Sequence, residues 1–225
     1  MTDSMKKRLK AIARIFATVI LAPEFLSYWL RARLFGRDRA LEGSTQTLSL
    51  FPGIVGQVFR RAFLTQVLDH CHPDSTVEFG TIFSKAGTRI EENVYIGPRC
   101  HIGLAHVERD VLIAAGVHIP SGPLTHGTAD PSQRIQDQPG LLQIVRIGAG
   151  SWIGSGAVVM ADVGRDSVVG AGAVVTKAIP DRVLAAGVPA RVIRSREQEP
   201  RPEASKQESG DRGQESGVGA LSPDS

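Results

Sequence analysis

The chain contains few aromatic residues and few cysteines. Phe, Trp and Tyr together make up 5% of the sequence, which fits a thin core stacked from Ile and Val. The two cysteines, Cys71 and Cys100, form no Cys-X-X-Cys pair, so the sequence indicates no disulfide framework. Because a reducing compartment fits this pattern, we expect a cytoplasmic protein.

The amino-terminal region lacks an apolar run long enough to span a bilayer. The run Ile15–Ala22 is interrupted by Pro23 and Glu24 and is shorter than the roughly 20 residues that a spanning helix needs. Two interpretations of residues 5–35 stay open: a basic amphipathic segment that lies on an anionic membrane, or a helix that packs against the rest of the protein or a neighbouring subunit. The basic residues are Lys6, Lys7, Arg8, Lys10, Arg14, Arg31, Arg33, Arg37 and Arg39, against Asp3, Glu24 and Asp38.

An aliphatic residue recurs every six positions over much of the chain. A small or β-branched residue stands two positions before it, and Gly often follows it. Neither a helix nor a flat strand has this period, whereas hexapeptide periodicity is typical of a parallel β-helix. We expect the glycines to give the backbone the freedom that the corners of such a coil need. The repeat positions are Ile90, Ile96, Ile102, Val107, Ile113, Ile119, Ile147, Ile153, Val159, Val169 and Val175.

The repeat also predicts which side chains face inward. The repeat residue and the residue two before it point into the core, so the residue between them points outward. Cys100 then occupies the core, where a free cysteine acts as a small apolar residue. Trp152 lies outside, which indicates an interface or a ligand. His101 and His118 are nearly one turn of about 18 residues apart, so they should stack on one face.

Helices are expected before the coil. Residues 5–42 predict a helix kinked near Pro23, residues 43–56 predict a loop because Ser, Thr and Gly accumulate there, and residues 54–70 predict an amphipathic helix.

The coil is expected to begin near Val77 and to end near Val183. A polar excursion over residues 120–144 interrupts the repeat, and long excursions from a rigid scaffold usually carry function. The predicted domains are an amino-terminal helical segment over residues 1–74, a β-helix over 75–194 and a tail over 195–225. The tail has almost no apolar residues, so we expect it to be disordered.

Three carboxy-terminal segments, Trp152–Ser155, Val169–Lys177 and Ala186–Arg194, resemble a known family. It is the family of hexapeptide-repeat acyltransferases that includes the maltose, galactoside and polysaccharide O-acetyltransferases. The amino-terminal helices and Phe51–Gly53 are similar to a subgroup from bacterial polysaccharide loci. The resemblance implies an all-β fold, a left-handed parallel β-helix, and an enzyme that moves an acetyl group from acetyl-CoA to a hydroxyl of a sugar or polysaccharide precursor.

The resemblance also implies a homotrimer that binds acetyl-CoA in the groove between adjacent subunits. Cationic side chains there can contact the phosphates of the coenzyme, while the Gly-Ala-Gly stretch is more simply explained as a corner of the coil. Carried over position by position, the coenzyme-contacting residues are Ser155, Ala171, Thr176, Lys177, Arg191 and Arg194.

The family uses one histidine as a general base, and the matching residue here is His126. Imidazole suits this role because its unperturbed pKa is about 6.5, and it can take the proton of an acceptor hydroxyl as that oxygen attacks the thioester. Asp130 and Arg134 are candidates for positioning His126 or the acceptor. Trp152 is a further candidate for contact with the acceptor.

Other functions share this fold. A γ-carbonic anhydrase binds zinc through histidines, and His101, His106 and His118 are the candidates, but a catalytic zinc needs three protein ligands and strand geometry puts His101 and His106 on different faces. His70-Cys71-His72 is a weak metal motif, because such close neighbours rarely converge alone. We therefore expect no metal, and no nucleic-acid partner. A serine or amine acetyltransferase of the same fold stays open.

Overall fold

The computed structural model describes residues 3–198, and the side chains of residues 11–197. Four helices precede a coil of short parallel strands. The helices are α1 (Asp3–Ile20), α2 (Ala22–Phe35), α3 (Arg37–Ser49) and α4 (Gly53–Val67), and short 3₁₀ helices follow at Ile135–Asp137 and Arg196–Gln198. Residues 199–225, which hold most of the predicted disordered tail, lie outside the described residues.

The strands form the three faces of a prism, here called sheets A, B and C. The first twelve strands visit A, B and C in turn, and each pairs in parallel with the strand one coil away. In the later coils sheet A continues as isolated parallel bridges at Val163 and Ile179. This confirms the predicted fold class. Sheet A contains β1 (His70–Cys71), β4 (Arg89–Ile90), β7 (Ala105–Val107) and β10 (Val145–Ile147). Sheet B contains β2 (Thr76–Val77), β5 (Tyr95–Ile96), β8 (Leu112–Ile113), β11 (Trp152–Ile153), β13 (Val168–Val169), β15 (Val183–Ala186) and β16 (Arg191–Ser195). Sheet C contains β3 (Ile82–Phe83), β6 (His101–Ile102), β9 (His118–Ile119), β12 (Val158–Val159) and β14 (Val174–Val175).

The inward positions of the repeat form the core, as predicted. Ile90, Ile96 and Ile102 are fully buried, and Cys100 is buried among them. Each buried Ile contributes about 1.5–3 kcal/mol through the apolar surface that it removes from water. Because the core is one column of such side chains, it needs few aromatic rings.

The glycines that follow the repeat have a different role from the predicted one. Gly97, Gly148 and Gly154 do not have positive φ values. A β-carbon on Gly154 would lie 2.5 Å from the backbone nitrogen of Ala171, and one on Gly148 would lie 2.6 Å from that of Arg165. These glycines are required because the next coil passes too close for a side chain. The left-handed corners fall on other residues, among them Gly156 and Asn93.

The predicted helix boundaries need correction. The predicted helix over 5–42 is three helices, with breaks at Leu21 and at Gly36, whose φ of +90° suits glycine. The predicted loop over 43–56 is wrong, because α3 continues to Ser49 and α4 begins at Gly53. Thr45 explains the error: it is buried, and its hydroxyl exchanges hydrogen bonds of 3.2 Å with the backbone N–H and C=O of Phe83.

The coil is longer than predicted at both ends. It begins with β1 at His70, and it ends with β16, which pairs antiparallel with β15 and includes Ser195. Ser195 thus belongs to a strand and residues 196–198 form a 3₁₀ helix, so the described secondary structure continues past Arg194.

The helices pack on the first coil. Arg60 of α4 is buried and its guanidinium donates hydrogen bonds to the carbonyl oxygens of Val77, Leu48 and Phe51. Burial lowers the pKa of Arg60. Within the described residues, no single helix is long and apolar enough to cross a membrane; the pair Ala11–Ile20 and Ala22–Phe35 meets that test only together, with a bend of 64° between them.

Candidate active site

The polar excursion leaves the coil after β9 and returns at β10, at the corner between sheets C and A. Its two limbs run side by side. The backbone N–H of Gln143 donates to the carbonyl of Ser121 at 2.8 Å, and that of Leu141 donates to the carbonyl of Leu124 at 2.7 Å. The predicted interruption of the repeat is confirmed, and it is a paired structure with a defined path.

Gln138 holds the tip of the excursion together. It is only 8% exposed, and its amide donates hydrogen bonds to the carbonyl oxygens of Asp130 and Gln133 at 2.8 and 3.2 Å. Its side-chain oxygen accepts the N–H of Asp130 at 3.1 Å. Sequence reasoning missed this residue, because a glutamine inside a polar segment gives no periodic signal.

The carboxylate of Asp130 is hydrogen-bonded to other residues of the same loop. Its carboxylate accepts hydrogen bonds from the backbone N–H and the hydroxyl of Ser132 at 2.9 and 2.6 Å, and from the amide of Gln133 at 2.8 Å. The hydrogen bond from the Ser132 hydroxyl is the main reason why the pKa of Asp130 is lowered. The structure therefore gives Asp130 a role in shaping the loop, and does not bring its carboxylate to His126.

His126 is exposed and lines an open groove with Arg134, Ile135 and Gln136. Among the described residues its imidazole has no hydrogen-bond partner, so both ring nitrogens are available to a ligand. Arg134 is held by an ion pair in which its Nε donates to Asp137 at 2.7 Å. The structure thus brings together two of the predicted residues, His126 and Arg134.

Four of the predicted coenzyme residues flank sheet C. Ser155 and Ala171 stack at the corner between sheets B and C, where the N–H of Gly172 donates to the carbonyl of Ser155 at 2.8 Å. Thr176 and Lys177 follow β14 at the opposite corner of sheet C, where the excursion also leaves the coil. All four residues are exposed.

Arg191 and Arg194 belong to the last strand, β16. The segment before it crosses the top of sheet C, because Val174 donates its N–H to Gly187 and accepts that of Ala190 at 3.0 and 2.8 Å. Arg191 is exposed directly after this crossing. Arg194 pairs with Leu184 of sheet B.

Trp152 lies on a different face from the excursion. It is 51% exposed on sheet B, between Leu112 and Val168 in adjacent strands, and Tyr95 continues the same outward row. Sheet B is opposite the corner at which the excursion leaves. Within one chain, Trp152 and His126 are therefore separate.

Comparisons with known proteins agree with this architecture. A family model described as the hexapeptide repeat of succinyl-transferase matches residues 87–120 and 144–177, on either side of the excursion. The galactoside O-acetyltransferase of Escherichia coli (strain K12) is 29% identical over 168 residues, which cover 63% of this chain and 80% of that relative. The chain is therefore similar to hexapeptide-repeat proteins and to this O-acetyltransferase.

Solved structures share the fold of this chain. A maltose O-acetyltransferase from Clostridium difficile 630 has a TM-score of 0.60 at 23% identity, over 70% of this chain and 87% of that one. A hexapeptide-repeat acetyltransferase from Vibrio cholerae O1 biovar eltor, complexed with acetyl coenzyme A, has a TM-score of 0.58 at 20% identity, with the same coverage. At these identities the likeness concerns the fold.

Three of the histidines considered as zinc ligands are distributed over two faces of the coil. His101 and His118 are adjacent on sheet C, with ring centroids 6.1 Å apart, as predicted. His106 is on sheet A, where its Nε2 lies 3.1 Å from Glu91. Within one chain, therefore, these three histidines do not converge on one point.

The three side chains of the His70-Cys71-His72 motif also do not converge on one point. Cys71 is buried in the core, and burial raises its pKa to about 11. His70 pairs with Glu91, whereas His72 accepts the N–H of Asp74 through Nδ1. In the described part of the chain, His72, Asp74 and Glu92 lie close enough for their ligand atoms to share an ion. That group was not predicted, and its members are half-buried or exposed.

Proposed function

We propose that this protein transfers an acetyl group from acetyl-CoA to a hydroxyl of a sugar or a polysaccharide precursor. The observation that carries the proposal is His126, whose unpaired, exposed imidazole stands beside Arg134 in an open groove of a paired loop. The related Escherichia coli protein is named for O-acetyl transfer to galactosides, and its similarity to this chain supports the same reaction type.

In the proposed mechanism His126 is the general base. One ring nitrogen takes the proton of the acceptor hydroxyl as the oxygen attacks the thioester carbon. The tetrahedral species then collapses, the carbon–sulfur bond breaks, and the imidazolium returns its proton to the coenzyme A thiolate. The ring is suited to both steps because histidine changes its charge near neutral pH. Arg134 stands in the same groove, where its guanidinium can orient oxygens of the acceptor.

We assign the coenzyme to the surface around sheet C. Ser155 and Ala171 bound it at one corner, Thr176 and Lys177 at the other, and Arg191 follows the segment that crosses its top. Arg194 lies further along β16, in the adjoining sheet B, and would contact the coenzyme from that side. The cations among them supply charge-assisted donors for the phosphates. Thr176 and Lys177 share their corner with the excursion, which supports a thioester held near His126. Trp152 does not fit this site within one chain, so its assignment as an acceptor contact requires a second copy.

We further propose a cytoplasmic homotrimer that acts in polysaccharide biosynthesis and contacts a membrane through residues 5–35. The outward row of Tyr95, Leu112 and Trp152 on sheet B supports association between copies, because an exposed apolar row on a rigid face is typical of an interface. Two buried free cysteines are compatible with a reducing compartment.

The test is acetyl-CoA turnover against a panel of sugars, with serine and simple amines included. His126→Ala should lower kcat by about 10²–10⁴-fold, the usual contribution of acid–base catalysis, while acetyl-CoA binding and the thermal midpoint stay unchanged. His106→Ala, which removes a half-buried imidazole from sheet A, is the matched control and should keep wild-type turnover. Turnover with amines alone would show that the acceptor group is an amine and not a sugar hydroxyl. Loss of activity in His106→Ala together with stoichiometric zinc would instead support the carbonic anhydrase alternative.

A further inference from the structure

Helices α1 and α2 each expose a continuous apolar stripe. The residues recur at three- and four-residue spacing, so each stripe runs along one face of its helix. Phe16 is 67% exposed and Leu26 is 74% exposed, which is unusual for such large side chains in adjacent elements. We call these residues the apolar stripes: Ile12, Ile15, Phe16, Val19 and Ile20 on α1, and Leu26, Trp29, Leu30 and Leu34 on α2.

The stripes are not the faces through which the helices pack on the protein. Ala17 and Leu21 are buried on the inner side of α1 and at its end, and Phe25 and Tyr28 are buried on the inner side of α2. Both rings of α2 contact Phe63 of α4, at centroid distances of 5.4 and 5.5 Å. Because the inner faces already have their partners, the stripes are a second apolar surface that faces away from the fold.

The charge of this region favours an anionic surface as the partner. Residues 1–40 contain nine Lys or Arg residues and three Asp or Glu residues. Glu24 is paired with Arg31, and Asp38 with Lys85. Arg33 and Arg39 are exposed and make no ion pair with a described residue. Basic residues beside an apolar helix face strengthen binding to anionic lipid, and Trp29 suits the boundary between lipid and water.

The α2 stripe ends on the side of the coil that carries His126. Phe35 and Gly36, at the end of α2, line one groove with Ser84 and Lys85, which follow β3 at the corner between sheets C and A. The excursion leaves from this same corner after β9, two coils further along sheet C. With about 4.8 Å per coil, that separation is about 10 Å. The excursion also exposes apolar side chains, Leu124, Leu141, Leu142 and Ile144.

We propose that the stripes lie on an anionic lipid surface and that the acceptor is an amphiphile held in that surface, with a sugar hydroxyl presented to His126. The acceptor class rests on the acetyl transfer proposed above. A lipid surface accounts for both the exposed apolar area and the basic excess, and the shared corner brings a lipid-borne sugar within reach of the excursion.

The experiment compares wild-type protein with the double variant Phe16→Glu/Leu30→Glu. The matched control, Gln46→Glu, adds a carboxylate at an exposed position of α3 outside the stripes. Binding is measured by co-sedimentation with vesicles of phosphatidylglycerol and phosphatidylcholine, and with vesicles of phosphatidylcholine alone. Turnover is measured with one sugar in two forms, as its methyl glycoside in solution and as its long-chain alkyl glycoside in the anionic vesicles.

We expect the double variant to bind anionic vesicles at least about tenfold more weakly, because two large apolar side chains no longer enter the lipid. Its turnover of the vesicle-borne glycoside should fall in proportion, while turnover of the methyl glycoside and all properties of Gln46→Glu stay at the wild-type level. Equal binding of wild type and double variant, equal binding to both vesicle types, or a self-associated state that the double variant dissociates would overturn the lipid contact. Resistance of the bound wild type to carbonate extraction would also overturn it in favour of a spanning segment.

The experiment gives different results when the proposed acceptor class is wrong and when the proposed acetyl transfer is wrong. If the double variant loses vesicle binding but acetylates the vesicle-borne glycoside at the wild-type rate, the acceptor class is wrong. If wild type binds anionic vesicles and acetylates neither glycoside, the proposed transferase activity is wrong, and the acceptor class with it.

Discussion

The backbone of Gly140 lies directly against the carbonyl group of Thr125, the residue before His126. A β-carbon on residue 140 would overlap the Thr125 carbonyl oxygen and would come within 2.9 Å of the His126 backbone nitrogen. Gly127 is similarly close to the other limb, since a β-carbon there would lie 2.6 Å from the carbonyl oxygen of Pro139. Only glycine at positions 127 and 140 lets the two limbs of the excursion come this close together. The position of His126 therefore depends on both glycines.

Gly140→Ala should displace His126 while the coil stays folded. Because the overlap is with backbone, the limbs must separate, and a displacement near 1 Å at a reacting group can reduce the rate about 10²-fold. We expect kcat for acetyl transfer to fall by roughly that factor, with little change in the KM for acetyl-CoA. Steady-state kinetics measure both.

Gly87→Ala is the matched control for this substitution. A β-carbon on Gly87 would meet the end of the flexible Leu104 side chain at 3.0 Å, which can move, and Gly87 lies outside the excursion. Wild-type kcat in both variants would show that the Gly140–Thr125 contact does not position the base.

Arg191→Ala should weaken acetyl-CoA binding without affecting the acceptor. A charge-assisted contact with phosphate is worth about 1.5–3 kcal/mol, which corresponds to roughly a tenfold to hundredfold higher KM for acetyl-CoA. The KM of the acceptor should stay the same. Arg146→Ala, which removes an exposed arginine from sheet A, is the control. An unchanged KM for acetyl-CoA in Arg191→Ala would remove this residue from the coenzyme site.

The coil was predictable from sequence because strand alternation and the six-residue repeat act at every position. Inward Ile96 and outward Trp152 follow from the pattern alone, and so does the adjacency of His101 and His118. What the pattern cannot distinguish is why a residue is glycine. Gly154 looks like a corner, but its backbone approach to Ala171 in the next coil depends on the stacking distance, which no local sequence feature reports.

The helical segment and the excursion were harder to predict because tertiary contacts override local preference there. Thr45 favours a loop by composition, yet its hydroxyl satisfies the backbone of Phe83 and thereby anchors α3 to the first coil. Asp130 was proposed as a partner of His126, and only the folded loop shows that Ser132 and Gln133 occupy its carboxylate. Gln138, which organises that loop, has no sequence signature.

His101 should make the protein less stable in acid. Burial, and next the charge of His118, lower the pKa of His101, while Glu42 opposes them. Since the unfolded chain then binds the proton more readily, the stabilisation is complete above the unfolded pKa of about 6.5 and is lost as the pH falls below it. Urea unfolding between neutral and mildly acidic pH should show a smaller loss of stability in His101→Gln than in wild type.

His118→Gln separates the two causes of this shift. If burial is the larger cause, removing the neighbouring charge should reduce the acid-dependent loss only in part. Identical pH dependence in wild type and His101→Gln would show that the coil does not disfavour the His101 imidazolium.

The contribution of residues 195–198 to stability can be tested by comparing a chain that ends at Arg194 with one that ends at Gln198. The longer chain keeps Ser195 paired with Val183, and it keeps Arg196, whose N–H donates to the carbonyl of Arg182 at 2.8 Å and whose guanidinium donates to the carbonyl of Asp166. Two such hydrogen bonds contribute about 1–3 kcal/mol. At about 2–4 °C per kcal/mol for a chain of this size, the shorter chain should melt several degrees lower. Both chains lack residues 199–225, so the difference reports residues 195–198 alone, and equal melting temperatures would mean that β16 gains no stability beyond Arg194.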